Sequence, residues 1–404
     1  MTAPDEAEGP LKGLRILDIS TVVAAPWAAT LLADLGADVV KVEMPEVGDA
    51  LRGLAPHKDG VPLWWKVTNR NKRGITLDLR KPEGRALFEK LLPRFDVLVE
   101  NFRPGTLDGW GLPAARLFEL QPKLTVLRVT GFGQTGPYAR KPAFARIGEA
   151  LSGLTYICGD PDRAPMHLGF PIADSVAGLF GAIGILGALY KRLREPDSPG
   201  QEIDVNLTES MFRVLDFLPI EYDQLGVVRE RSGNLSQYAA PSNVYRTADE
   251  RWLSLPASSQ NLFVRFCAAI GKPELLDDPR FSTNPARVKN REAIDAIVAE
   301  EVGKRTLAEM TALLESKEVG SSPINSIADI FADPHFAARE AIVNVDDAEL
   351  GSVKMQAVVP RYSRTPGRVT RTGPLMGEHN DEIFGDWLGL NEAERRALAA
   401  RKII

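Results

Sequence analysis

A chain of 404 residues, 44% hydrophobic and 25% charged, is long enough to bury a large core and to form two domains. Its net charge of −5 argues against a general nucleic-acid binder. Two distant cysteines, Cys158 and Cys267, and four scattered histidines without HxxxH or HExxH spacing point away from a disulfide framework and from a metal site.

The start, Met1–Glu8, is acidic and polar, the opposite of a secretory signal, so a cytoplasmic location is expected. Leu14-Arg-Ile-Leu-Asp-Ile19 reads as a buried strand, and a helix follows from Ala25 to Leu35 with Pro26 in its first turn. Val39–Glu43 is the next strand, and this βαβ unit predicts a parallel sheet. The rhythm continues with a strand at Gly74–Leu79, a helix at Pro82–Leu92, and strands at Val97–Glu100 and Leu124–Thr130. The fold class is therefore α/β, doubly wound, with helices on both faces of one sheet. The longest apolar run, Ser175 to Tyr190, is too short and too rich in glycine to span a bilayer and reads as a buried helix. A turn cluster at Pro196–Gly200 precedes a strand of alternating polarity, Gln201–Leu207, and a helix from Thr208. Gly233 to Leu255, with strands at Val244–Arg246 and Trp252–Leu255, reads as a separate small unit, and helices follow at Ser259–Gly271 and Arg291–Glu301. A Val-rich, strand-like stretch, Ile342 to Pro366, and an amphipathic helix, Asn391–Ala400, complete the chain.

Asp174 stands at the mouth of a glycine- and alanine-rich helix otherwise free of charge. Exposed N–H groups and the helix dipole stabilise a carboxylate there, so the residue suits either a helix cap or a nucleophile. Gly131-Phe-Gly133-Gln-Thr-Gly136 follows a strand and matches half of a dinucleotide fingerprint. Pro137 and Pro142 follow where a helix should begin, and no acidic residue ends a next strand, so the other half fails. Such a loop still lets a ligand approach backbone. No G-x-S-x-G elbow supports a hydrolase. Lys41, Lys72, Arg73, Arg103, Arg140 and Lys141 cluster around strand ends, where several cations would suit a ligand with two or more phosphates.

These segments in their order resemble the class III coenzyme A transferases, the CaiB/BaiF group, which share a fold with α-methylacyl-CoA racemase. The matching stretches are Leu11–Asp18, Leu35–Glu43, Asn69–Arg73, Val99–Gly105, Gly131–Tyr138, Asp174 with its helix, and Gly200-Gln201. The resemblance implies a Rossmann-like large domain over 1–200, completed by about 330–404, a linker at 201–228 and a small α+β domain at 229–329. It implies an interlocked, ring-like homodimer, with coenzyme A as substrate and no tightly bound cofactor. The family's catalytic carboxylate falls on Asp174. Its coenzyme A contacts fall near Val22, Val23, Lys41, Lys72, Arg73, Asn101, Phe102, Arg103, Arg140 and Lys141.

Racemase relatives carry a His-Asp pair where this chain has Phe144-Ala145, and neither residue moves a proton. The polar groups that formyl-CoA:oxalate transferases place here and at Val23 are also absent, which favours an acceptor bulkier than oxalate. Transfer from succinyl-CoA through an aspartyl intermediate is the expected activity. The alternatives are a racemase or a subunit of a hetero-oligomeric transferase. Backbone N–H groups of the Gly131–Gly136 loop, Gly133 among them, and of Gly233 and Asn234 are candidate oxyanion donors. Val22, Val23 and Phe144 would keep water out. Arg146 is a candidate for an acceptor's second carboxylate and Glu149 for a polar group, whereas His167 reads as a structural loop histidine.

Overall fold

The computed structural model describes residues 9–404, and the acidic stretch Met1–Glu8 lies outside the described residues. In chain order the strands are β1 (Arg15–Asp18), β2 (Asp38–Glu43), β3 (His57–Lys58), β4 (Val61–Pro62), β5 (Lys72–Thr76), β6 (Val97–Glu100) and β7 (Thr125–Thr130). They continue with β8 (Gln201–Asn206), β9 (Ser242–Arg246), β10 (Trp252–Pro256), β11 (Ser322–Pro323), β12 (Ile342–Asp347) and β13 (Gly351–Gln356). The chain divides into two compact units, one of Met1–Leu154, Leu168–Glu221 and His335–Ile404, the other of Thr155–His167 and Tyr222–Pro334.

The first unit is built on a six-stranded sheet in the order β5-β2-β1-β6-β7-β8, parallel throughout. Its inner strands are short Val, Ile and Leu runs because both faces are covered. Helices Ala24–Asp34 and Ile172–Arg194 close one face over Ile16, Val39, Val97 and Leu127. Helix Pro82–Leu91 closes the other, where Ile383, Phe384, Ile403 and Ile404 of the C-terminal segment join the same core. From β1 the chain winds outward through β2 to β5, then returns to β6 and winds the other way to β8. The direction reverses between β1 and β6, and open α/β sheets bind ligands at the carboxyl ends of the strands at such a point.

Two expectations are corrected here. Residues 201–206 do not begin a linker: β8 pairs with β7 from Thr125↔Gln201 to Thr130↔Asn206 as the edge strand of the sheet. One face of an edge strand meets solvent, which gives it the alternating polarity that looked like a change of domain. The helix around Asp174 is also longer than its apolar run. It spans 23 residues, Ile172–Arg194, enough by length and composition to cross a membrane, yet half of its apolar stretch is buried against the protein. Lys191, Arg192 and Arg194 occupy its last turn, where the dipole favours cations.

The second unit has an antiparallel sheet, β11-β10-β9, packed against helices Gln260–Ile270, Arg291–Gly303 and Leu307–Ser316. Its core is aromatic and aliphatic, with Phe263, Phe266, Phe281, Ile294 and Val298 fully buried. Of the Val-rich stretch, only β12 and β13 form strands, paired as a hairpin.

Candidate active site

The crossover from β7 to β8 starts at the carboxyl edge of the sheet, so the helix that makes it, Ile172–Arg194, begins at that edge. Asp174 is its third residue, inside the first turn; the cap is Pro171, which offers no side-chain hydrogen bond. Gly178, one turn further on, meets the start of helix Ala24–Asp34. A Cβ there would stand 2.9 Å from the Ala24 carbonyl oxygen, so only glycine lets the two helices approach this closely.

A cavity of about 220 Å³ opens at the switch point. Its wall comes from the loop after β1 (Thr21, Val22, Val23, Ala24), the loop after β6 (Asn101 to Pro104), Thr130 and Gly131 after β7, and Leu207 after β8. Asp174 and the strip Ala139, Lys141 to Phe144 complete it. That volume is below the ~300–1,000 Å³ of pockets enclosing a whole drug-sized ligand, and suits the reacting end of a larger one. Gly131 is required by packing, since a Cβ there would lie 2.1 Å from the Ala143 Cβ.

Asp174 is partly buried and makes no hydrogen bond or ion pair among the described residues. Burial, and then the charge of Glu149, push its carboxyl up from 3.8 to about 7. Glu149 is 1% exposed on helix Ala145–Leu151, which packs on the Asp174 helix. A carboxylate held near 7 is more basic than an ordinary one and still substantially ionised at neutral pH, as nucleophilic use requires.

The structure gathers Val22, Val23, Asn101, Phe102, Arg103, Lys141 and Phe144 around Asp174. Arg103 is exposed and uncommitted, and Lys141 lies over the Tyr138 ring at 3.7 Å. Arg140 is exposed and uncommitted between two residues of the wall. The Asn101 side chain is spent on the protein: its Oδ1 accepts from the Thr21 N–H at 2.8 Å and its Nδ2 donates to the Thr21 carbonyl at 2.7 Å.

Lys41 and Lys72 do not face the cavity. Both side chains are fully buried in an ion cluster with Asp18 and Asp49, in which Lys72 Nζ reaches Asp18 at 2.8 Å and Lys41 Nζ reaches Asp49 at 3.2 Å. Burial pushes the Asp18 carboxyl up, but Lys41 and Lys72 outweigh it and hold it below its ordinary value. Burial brings Lys72 down to about 8 against the pull of Asp18. Two cations and two carboxylates balance, so the cluster has no charge to spare for a phosphate. Arg73 sits at the amino end of β5, on the opposite edge of the sheet, held by Asp38, Glu382 and the Trp387 ring. The fold therefore places none of these three expected coenzyme A contacts in the cavity wall.

Two of the expected oxyanion donors are engaged within the chain. The Gly133 N–H donates to Thr130 Oγ1 at 2.9 Å. The Gly233 N–H donates to the Gly159 carbonyl at 2.9 Å, and Gly233 and Asn234 both lie in the second unit. His167 is in that unit too, its Nδ1 3.4 Å from the Thr155 hydroxyl. The Val23 and Ala24 N–H groups at the start of helix Ala24–Asp34, which the sequence reading did not single out, make no hydrogen bond among the described residues. Asp49 was missed too. The signal available was a lysine flanked by valines in β2, which calls for a buried acidic partner.

A doubly wound sheet with a weakly acidic, unpaired carboxyl at its switch point, flanked by uncommitted cations, defines an α/β enzyme suited to acyl transfer from an anionic ligand. The chain belongs to CoA-transferase family III, whose model matches residues 11–380. It is thus a class III CoA-transferase. It is 44% identical over 396 residues to the succinyl-CoA–D-citramalate CoA-transferase of Chloroflexus aurantiacus, covering 98% of each chain. It is 41% identical over 398 residues to a Chloroflexus aurantiacus protein named succinyl-CoA–L-malate CoA-transferase alpha subunit, covering 98% of this chain and 92% of that one. Among solved structures it resembles a CaiB/BaiF family protein from Brucella suis with a TM-score of 0.84 at 34% identity, covering 94% of this chain and 99% of that one.

Proposed function

We propose that the enzyme moves coenzyme A from succinyl-CoA to a second carboxylic acid through covalent intermediates on Asp174. The observation that carries this is an unpaired carboxyl of raised pKa opening into a cavity walled by Val22, Val23, Phe144 and Leu207. An Asp174 oxygen attacks the thioester carbon, the C–S bond breaks, and an aspartyl-succinyl anhydride forms with coenzyme A thiolate. The thiolate attacks the aspartyl carbon and releases succinate, leaving an aspartyl-CoA thioester. The acceptor carboxylate attacks that carbon and expels the thiolate. The thiolate then takes the acceptor acyl group and returns Asp174 to its starting form. No net proton or electron is exchanged. The Val23 and Ala24 N–H groups are the donors suited to the oxyanion of each addition. The apolar wall protects the anhydride from water.

Succinate as donor acid and a hydroxylated diacid as acceptor are supported by the names of the similar proteins. Arg146, exposed and uncommitted two residues beyond Phe144, suits the distal carboxylate of either acid. Arg103, Arg140 and Lys141 suit the coenzyme phosphates. A homodimer is the assembly we favour, because Leu179, Ile183, Leu186, Tyr190 and Leu193 leave an apolar stripe exposed along the Asp174 helix. A hetero-oligomer is the second reading, since similar proteins are named alpha and beta subunits; the mass of the purified chain in solution separates the two.

The test is trapping during turnover. Borohydride or hydroxylamine should modify Asp174 only when an acyl-CoA donor is present, and Asp174→Ala should fold, bind coenzyme A and lose transfer by at least about 10³-fold. A modified peptide lacking Asp174 overturns the proposal.

A further inference from the structure

Val22 is a β-branched residue held at φ +66°, a region such residues rarely enter. It lines the same cavity as Asp174, and the uncommitted N–H groups of Val23 and Ala24 follow it directly. Its own N–H donates to the Asp49 carboxylate, 3.0 Å from Oδ1 and 3.2 Å from Oδ2. Asp49 is 2% exposed, and it also accepts the Leu51 N–H at 2.9 Å and meets Lys41 Nζ at 3.2 Å. On the other side, Asn101 grips Thr21 through both its amide atoms. The unusual backbone of Val22 is thus set from below by a carboxylate that the buried lysine fixes in place.

We propose that Asp49 is a positioning residue for the transfer reaction: by accepting the Val22 N–H it holds the loop so that the following donors face the carbon attacked by Asp174. This rests on the transfer reading above. Lys41 then serves catalysis indirectly, as the anchor of Asp49, from outside the cavity wall. A purely structural role, capping the short helical turn Ala50–Gly53, would affect stability and leave turnover of the folded enzyme intact.

Asp49→Ala and Asp49→Asn test the proposal, with turnover counted per active site labelled by the acyl-CoA donor. Displacement of reacting groups by about 1 Å costs on the order of 100-fold. Asp49→Ala should therefore lose about 100-fold in kcat, with KM for acyl-CoA within about threefold of wild type. Asp49→Asn keeps an oxygen that accepts the Val22 N–H, and should retain more than about a tenth of wild-type kcat. Wild-type kcat per labelled site in Asp49→Ala, or an equal loss in Asp49→Asn, overturns the proposal. Should Asp49→Ala not fold, hydrogen exchange at the Val22 amide of the wild-type enzyme decides: strong protection is expected, and exchange at the rate of an open amide refutes it. A wild-type enzyme that transfers no coenzyme A to any acid would overturn the transfer reading itself, a different result from either of these.

Discussion

Replacing Asp174 with asparagine should stabilise the protein, and by an amount that depends on pH. The carboxyl titrates at about 7 in the folded chain against 3.8 as its ordinary value, because it is buried and faces Glu149. Well below pH 3.8 both folded and unfolded states hold the proton, and the residue contributes nothing. Between 4 and 7 the unfolded state ionises first, so native stability falls as pH rises. Above 7 the penalty is constant, at most about 4 kcal/mol for a displacement of this size and about 2–4 kcal/mol once water in the open cavity is allowed for. Asparagine has the same shape and no charge. With an unfolding entropy of about 2 cal/mol/K per residue, the gain corresponds to about 2–5 °C in thermal midpoint at pH 8 and close to zero at pH 4. The assay is thermal unfolding of Asp174→Asn and wild type at matched concentration across pH 4 to 8. The same carboxyl should impose a rise in kcat/KM through a pKa near 7, since its ionised form attacks. A midpoint difference that stays flat with pH, or a wild type more stable than Asp174→Asn at pH 8, would refute the reasoning.

Lys72→Met should cost about 3–5 kcal/mol in urea unfolding, because it leaves Asp18 short of a cation in a sealed site, while KM for acyl-CoA in the folded enzyme stays within about threefold. A stable variant with a tenfold higher KM would restore the phosphate role. Arg103→Ala should raise KM for acyl-CoA about 10- to 100-fold at low salt, the loss of one charge-assisted contact, with the effect shrinking as salt is added. An unchanged KM would move the phosphates elsewhere. Arg146→Ala should raise KM for diacid acceptors about tenfold or more relative to monocarboxylic acids of equal length, with partial recovery in Arg146→Lys; equal effects on both classes would remove Arg146 from acceptor recognition.

Much of the first unit could be read from local pattern. The runs Leu14–Ile19, Val39–Glu43 and Val97–Glu100 are short, apolar and separated by helical segments, which in a chain of this length has few solutions other than a parallel sheet. β8 was read as a strand but set outside the sheet, because an edge strand carries the polarity of a surface. The helices Asn284–Lys289 and Leu307–Ser316 escaped notice, since short amphipathic helices of a small unit carry little periodicity to count. Asp174 stood out in the sequence because its neighbours are uncharged, and Phe144 because the resemblance puts a His-Asp pair there in racemases; the fold places both in the cavity wall.

The surroundings of Lys41 and Lys72 were hidden in the sequence for a reason that bears on the mechanism. A lysine near a strand end looks the same in sequence whether it meets a phosphate or a buried carboxylate, and its partners here, Asp18 and Asp49, come from other elements. The fold brings two cations to two acids and leaves that cluster balanced. At Asp174 it does the reverse: a second carboxylate, Glu149, acts on the first, and among the described residues no cation pairs with the Asp174 carboxyl. Ion pairing is thus used fully one layer below the cavity and withheld inside it. A carboxyl paired like Asp18 would be held below its ordinary value and would be a feeble nucleophile. One left unpaired beside a like charge stays basic and gains by giving up its charge to an acyl carbon. The stability lost at Asp174 and the reactivity proposed for it then have the same electrostatic origin, so a variant that recovers one should forfeit the other.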